Sequence, residues 1–213
     1  RKNKVAMACL FYVIFLGLSA LIVPELLPYT YDEQEIWNKH SKPTLGKPAL
    51  VVASSTLEYT PKIIDPPQDP NIIAPDAVAG MQTLSDPTTS GSIIAWEPVP
   101  GVDGYRVYRS LQPDSLGLPL GETEANTVSF YDNASLEPDT DYFYFVQGYT
   151  AFEEGMASAP LKIHPILALS LDQALAIDTN AQPGATIKTK AHILGTDYLG
   201  RDLLARVMIG ARI

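Results

Sequence analysis

Cysteine is almost absent: Cys9 is the only one in 213 residues. A single thiol excludes an intramolecular disulfide, a thiolate zinc cage and an iron–sulfur cluster. Histidine is scarce too, and His40, His164 and His192 lie too far apart for a local metal-ligand spacing. Charged residues make up 18%, below the roughly 25% of an ordinary soluble protein. Positive charge is the scarcer sign: 15 Lys and Arg stand against 24 Asp and Glu, a net charge of −9. Without a basic stripe to displace phosphate counterions, nucleic acid is excluded as a partner. Catalytic signatures are also missing. There is no Ser-His-Asp grouping, no H-E-x-x-H, no P-loop and no carboxylate pair that marks a cleft. The sequence therefore assigns no catalytic residue, no metal ligand and no cofactor.

What is present is unevenly distributed. Val5 to Val23, VAMACLFYVIFLGLSALIV, is 19 residues without a charge, long enough to cross a hydrocarbon core as a helix. Arg1, Lys2 and Lys4 precede it, and Pro24, Glu25 and the acidic Asp32, Glu33 and Glu35 follow. The positive-inside rule places residues 1–4 in the cytoplasm, 5–23 in the bilayer and the rest outside. A cleaved signal peptide has a shorter apolar region and a small-x-small site; Val23-Pro24-Glu25 is a poor one, so a retained anchor is expected. Tyr29, Tyr31 and Trp37 suit a membrane-interface belt. Residues 24–75 read as an external connector, stiffened by the Pro-dense LEYTPKIIDPPQDPNIIAP at 57–75. ALVVASSTLEY (49–59) reads as a strand with no identifiable partner.

Residues 76–163 alternate. Ile94 and Trp96 share one face, as do Tyr105 and Val107, Val128 and Phe130, and Tyr142, Tyr144 and Val146. PGVDG (100–104), DNASLEPD (132–139) and FEEG (152–155) interrupt them as turns. Short alternating strands at this spacing predict an antiparallel β-sandwich. The stretch AWEPVPGVDGYRVYRS with YDNASLEPDTDYFYFVQGYT resembles a fibronectin type III domain. Trp96 matches that family's second-strand tryptophan and Tyr105 its third-strand aromatic. Leu136, Pro138, Thr140 and Tyr142 fit its L-x-P-x-T-x-Y corner, in which the tyrosine hydroxyl bonds to nearby backbone. The Arg-Gly-Asp tripeptide is absent. The many acids here read as a solvating face. The cluster Asp132, Glu137, Asp139 and Asp141 lacks calcium-loop spacing. Asn133-Ala134-Ser135 fits a glycosylation sequon, relevant only in a eukaryotic secretory path.

Residues 164–190 read as a second connector, with a short helix expected over the Ala/Leu-rich 166–177. In AHILGTDYLGRDLLARVMIGARI (191–213), Gly195-Thr196-Asp197 reads as a turn and helix N-cap. Asp202, Arg206 and Gly210 form a polar stripe, with Asp202 and Arg206 spaced to pair at i, i+4. An apolar stripe of Leu203, Leu204, Val207 and Met208 with cationic Arg201, Arg206 and Arg212 predicts an interfacial helix over 191–213.

The string His192-x-Leu194-Gly195-Thr196-Asp197-x-Leu199-Gly200-Arg201-Asp202-x-Leu204-x-Arg206, followed by Gly210-Ala211-Arg212, is similar to a segment of the C-type permease subunit of dipeptide, oligopeptide and nickel ABC importers. There it precedes the second transmembrane helix. Ala205 stands where that family commonly has Ser. The N-terminal basic tip, single span and Pro/Tyr exit resemble the same family's first helix. The resemblance implies a transport subunit without catalysis of its own, in the bacterial inner membrane. Its implied partners are a second permease subunit, cytoplasmic ATPase subunits, an extracytoplasmic substrate-binding protein and the lipid bilayer. It also implies further spans beyond Ile213, and a structural task for His192, Gly195, Thr196, Asp197, Gly200, Arg201, Asp202, Arg206, Gly210 and Arg212. The expected fold is an all-β, fibronectin type III-like sandwich inserted between a transmembrane helix and a C-terminal amphipathic helix. The alternative is a single-pass anchored binding or adhesion protein acting through the sandwich.

Overall fold

A computed structural model describes residues 3–53, 58–67 and 74–212. Parts of two expected features, 54–57 of the 49–59 strand and 68–73 of the Pro-dense stretch, lie outside the described residues, as do Arg1, Lys2 and Ile213. The described chain runs α1 (Lys4–Leu26), β1 (Pro48–Val52), β2 (Gln82–Thr83), β3 (Ser92–Ala95), β4 (Gly104–Ser110), β5 (Leu118–Glu124), β6 (Ser129–Asp132), β7 (Tyr142–Tyr149), β8 (Leu161–Ile163), β9 (Leu167–Ser170), α2 (Leu171–Leu175), β10 (Thr186–Lys188) and α3 (Leu203–Gly210). It divides into two compact units, one formed by residues 1–47 with 188–213 and the other by 48–187. Charge divides with them. The first unit carries 11 Lys and Arg against 6 Asp and Glu, and the second 4 against 18.

In the first unit, the uncharged run forms α1 because nothing in it interrupts the backbone ladder. The side chain of Asn3 caps its start by accepting the Ala6 N–H at 3.3 Å, and Pro24 falls in the last turn. α1 is long and apolar enough to cross a membrane, and its large side chains are exposed, as lipid-facing groups are. α3 packs on α1.

In the second unit, seven of the strands form a sandwich. One sheet has the order β2-β3-β6 and the other β5-β4-β7-β8, with every pair antiparallel. This three-plus-four arrangement is that of a fibronectin type III-like sandwich. The alternation read from the sequence sets its core. Val78, Ile94, Trp96, Tyr105, Val107, Val128, Leu136, Tyr142, Tyr144, Val146 and Ile163 are buried together, because period-2 side chains from both sheets meet at the interface.

Three features extend or correct the expected layout. Residues 59–64 are not part of a free spacer but run along residues 126–129, which lead into β6. The Lys62 N–H donates to the Ser129 hydroxyl at 2.8 Å, and the Ile64 N–H to the Asn126 carbonyl at 2.8 Å. The stretch from residue 49 does find a partner: β1 pairs in parallel with β9, from Ala49↔Leu167 to Val52↔Ser170, and β10 takes its other edge. Finally, the helix expected over 166–177 occupies only Leu171–Leu175. Ser170 and Gln173 form a capping box there, which starts the helix one residue after β9 and leaves Leu167–Ser170 to the sheet.

At the corner before β7 the Tyr142 hydroxyl accepts the Glu137 N–H at 3.0 Å. Tyr142→Phe leaves that amide unpaired beside a buried ring. The expected loss is about 1 kcal/mol, measured by urea unfolding followed through Trp96 fluorescence.

Candidate functional site

The segment leaving α1 folds back along the segment that leads into α3. The Thr44 N–H donates to the His192 carbonyl at 2.9 Å, and the Thr196 N–H to the Ser41 carbonyl at 3.1 Å. Thr196 works twice more through its hydroxyl, accepting the Ser41 N–H at 2.9 Å and donating to the Asn38 carbonyl. The His40 N–H bonds to the Asp197 carbonyl at 3.1 Å. Two glycines permit this close approach. Gly195 has φ +79°, and a Cβ there would lie 2.3 Å from the Ser41 carbonyl oxygen. Gly200 has φ +75°, and a Cβ there would lie 1.9 Å from that of Glu35. Both the left-handed backbone and the missing side chain are therefore required.

His192 lies at the centre, 2% exposed. Its Nδ1 is 2.9 Å from Asp202 Oδ2 and its Nε2 3.2 Å from Glu35 Oε2. The Tyr29 ring stacks on the imidazole with centroids 4.9 Å apart. Lys190 Nζ lies 2.7 Å from Glu33 and 3.8 Å from Glu35, over the Tyr29 ring. Burial alone pushes an imidazole pKa down, but the bonds to Asp202 and Glu35 outweigh it and raise His192 to about 9. At neutral pH His192 is thus an imidazolium donating from both nitrogens. Burial raises Glu35, yet the bonds from His192 and Asn38 hold it below its ordinary value. Burial, with Asp202, Glu35 and Glu33 nearby, pushes the Tyr29 phenol up to about 12.

A second knot holds the turn before α3. Asp197 Oδ1 accepts the N–H groups of Leu199 at 2.8 Å and Arg201 at 3.0 Å, while Oδ2 accepts the Arg201 Nε at 2.9 Å and also pairs with Arg206. Burial would raise this carboxyl, but the Arg201 guanidinium and the two backbone donors bring it to about 2. Two expectations are corrected here. The N-cap of α3 is Asp202, not the Gly195-Thr196-Asp197 turn: Asp202 Oδ1 accepts the Ala205 N–H at 2.7 Å. The helix accordingly spans only Leu203–Gly210, and the preceding residues form the turns of the clasp. Asp202 is occupied by that cap and by His192, so Arg206 turns to Asp197 instead of pairing at i, i+4. Gly210 ends α3 in open space, and Arg212 lies 3.7 Å from Glu25.

Tyr29, Glu35 and Lys190 belong to this cluster although no motif marks them; their separation in sequence from His192 and its neighbours hides the contact. Among the described residues no group of His, Cys, Asp and Glu is disposed to hold a metal ion.

In the other unit, Trp96 and Tyr105 meet edge to face at 5.4 Å, and the Tyr105 hydroxyl accepts the Val99 N–H at 2.9 Å. Leu136 is buried, and Pro138 is half-buried between it and Tyr142 in sequence. A polar group that the sequence reading missed lies below this corner. Asp132, 3% exposed, accepts the Tyr144 hydroxyl and an Arg109 guanidinium N–H, each at 2.6 Å, and its other oxygen accepts the Ala134 N–H at 3.1 Å.

Comparison with known proteins adds two likenesses. Solved structures resemble the sandwich only distantly. An Fn3-like protein from Clostridium thermocellum is 20% identical, covering 46% of this chain and 94% of its own, with a TM-score of 0.37. A myokine structure is 19% identical over 44% and 99%, with a TM-score of 0.35. The FN1-FN3 domains of chicken CNTN1 are 17% identical over 43% and 30%, with a TM-score of 0.38. No curated protein sequence matches the chain. The family evidence comes from the other end: residues 1–43, which include α1, Tyr29 and Glu35, match the N-terminal TM domain of oligopeptide transport permease C.

Proposed function

We propose that this chain is the first membrane segment and first external loop of the C-type subunit of an ABC importer for peptides or related solutes. The observation that carries this reading is the clasp. The residues matched to the permease family and the separate signature at 192–206 come from opposite ends of the chain, yet they bond to one another around His192. In this reading the clasp is structural. It fixes the exit of the first span against α3 and aims the chain at its second span, while solute contact and catalysis lie elsewhere. ATP hydrolysis belongs to cytoplasmic partner subunits, and a second permease subunit completes the pore. α1 sits in the bacterial inner membrane, with residues 24–213 on the external side. The sandwich inserted in the loop docks or spaces the extracytoplasmic solute-binding protein.

Asp197 and Arg201 test the assignment. Replacing both, Asp197→Asn with Arg201→Gln, removes the carboxylate that holds the turn and one of the two guanidinium groups paired with it. In the full-length importer, peptide uptake is expected to fall at least about tenfold, or the subunit to accumulate unassembled, since the turn before α3 loses the carboxylate that accepts the Leu199 and Arg201 N–H groups and pairs with Arg201 and Arg206. Uptake at the wild-type rate with normal assembly would sink the assignment.

A further inference from the structure

The sheet register gathers three loops at one end of the sandwich. Gly104 lies beside both Glu124 and Tyr149, so the loop before β4, the loop after β5 and the β7–β8 loop emerge together. The last of these is a built turn rather than a loose one. The Thr150 N–H donates to the Glu153 carbonyl at 2.9 Å, and the Thr150 hydroxyl accepts the N–H groups of Phe152 and Glu153 at 3.2 and 3.1 Å. The Ala151 N–H is anchored on Asp103 at 2.6 Å, and the Gly155 N–H on the Gly148 carbonyl at 2.8 Å. This turn presents Phe152 at 82% exposure, and Met156, four residues further on, is 74% exposed. Scattered exposed apolar side chains are ordinary. An aromatic held outward at the tip of a hydrogen-bonded turn is pre-organised for contact, because little conformational freedom remains to be lost on binding.

Charge narrows the occupant. Asp103, Glu122, Glu124, Glu153 and Glu154 stand at this end, and the cation placed among them, Arg106, is already paired with Glu122 and Glu154. With 18 acids against 4 bases in its unit, this end repels an anionic lipid surface and the same end of a second copy. We infer that the β7–β8 tip is a docking point for a protein carrying an apolar pocket rimmed by Lys and Arg, with Phe152 entering the pocket and the carboxylates meeting the rim. This inference rests on the docking role proposed above and assigns the pocket to the extracytoplasmic solute-binding protein.

The test uses the full importer in nanodiscs and the purified solute-binding protein of the same importer. Association is measured at low and high salt for the wild type, Phe152→Ala, Glu153→Gln and a variant lacking residues 76–163. Phe152→Ala is expected to weaken association about tenfold or more. Glu153→Gln should mainly slow the on-rate, and salt should weaken the wild type more than Glu153→Gln. Phe152 lies outside the core, so unchanged thermal unfolding of Phe152→Ala verifies that the sandwich is intact. Equal affinity of wild type and Phe152→Ala, with the deletion variant still weakened, overturns the tip and leaves the docking role standing. Unchanged affinity in the deletion variant overturns both. Phe152-dependent binding to vesicles of phosphatidylglycerol and phosphatidylethanolamine, in place of the protein, overturns the choice of partner.

Discussion

His192→Ala is expected to open the clasp. The substitution removes an imidazolium held between Asp202 and Glu35, and leaves the side chain of Asp202, 1% exposed, facing an empty site. Breaking one side of a buried charged group costs about 3–5 kcal/mol. Taking about 3 kcal/mol, local opening becomes about a hundredfold more frequent. Hydrogen exchange at the Thr44 and Thr196 amides reads this directly, because their acceptors are the His192 and Ser41 carbonyls within the clasp. Both amides should lose about a hundredfold of protection, while amides in β4 and β7 are unaffected.

The same bond predicts a pH dependence of definite sign. The His192 pKa is raised, from 6.5 in the free side chain to about 9. Its contribution is therefore fully present below the free value and is lost as pH rises through about 9. Glu35 and Asp197 are shifted the other way, Asp197 to about 2. Their contributions are present above the ordinary carboxylate range and fade as pH falls below it. The charges that contact His192 are Glu35 and Asp202; Lys190 pairs with Glu35 and Glu33 behind them, and the Tyr29 phenol stacks on the imidazole. Protection of Thr44, corrected for intrinsic exchange, should be level below about 6.5, decline as pH rises from there to about 9, and level off above it. His192→Gln should remove that decline. Protection in the wild type that persists unchanged well above pH 9 would contradict a charged His192.

Period-2 alternation made the sandwich legible, because Tyr105, Val107, Tyr144 and Val146 carry the buried face in sequence order and turn residues separate the strands. The small parallel sheet was illegible for a different reason. Its strands are short, and Ala49 and Leu167 are separated in sequence by the whole sandwich, so no local pattern names the partner. The Ala/Leu composition of 166–177 favours a helix by propensity, but the tertiary pairing of β9 with β1 overrides it up to the Ser170 cap. In the clasp, resemblance marked the residues from His192 onward as a group. It did not mark Glu35, which read as one of three acids after a membrane span, or Tyr29, which read as an interface aromatic. Their roles arise from contacts to residue 192 made on folding, and a one-dimensional pattern carries no signal for such contacts. Asp202 shows the same limit. Its spacing from Arg206 is right for a pair, but a carboxylate just before a helix gains more from capping exposed N–H groups than from an i, i+4 partner.

Asp132→Ala should produce the largest loss in the sandwich. The carboxylate lies where β6 ends, and Arg109 in β4 and Tyr144 in β7 both point to its Oδ2. It thereby links the two sheets through side chains, in a place where the backbone ladders do not connect them. The Tyr144 phenol is buried and stays protonated, its pKa pushed far above the ordinary value by burial and by Asp132, so it is a donor at every physiological pH. Without Asp132, a buried hydroxyl and a largely buried guanidinium lose their acceptor together, and the Ala134 N–H loses its own. The expected cost is about 3–4 kcal/mol, a large part of the roughly 5–15 kcal/mol that holds a typical domain folded. Asp132→Asn keeps the shape and one acceptor oxygen but supplies no charge to Arg109, and should cost about half as much. Arg109→Met with Asp132→Asn tests the coupling. If the ion pair carries the cost, the double variant is more stable than the sum of its parts predicts, by about 1 kcal/mol or more. Simple additivity would show instead that Tyr144 and the Ala134 amide, not Arg109, are what Asp132 is there to hold.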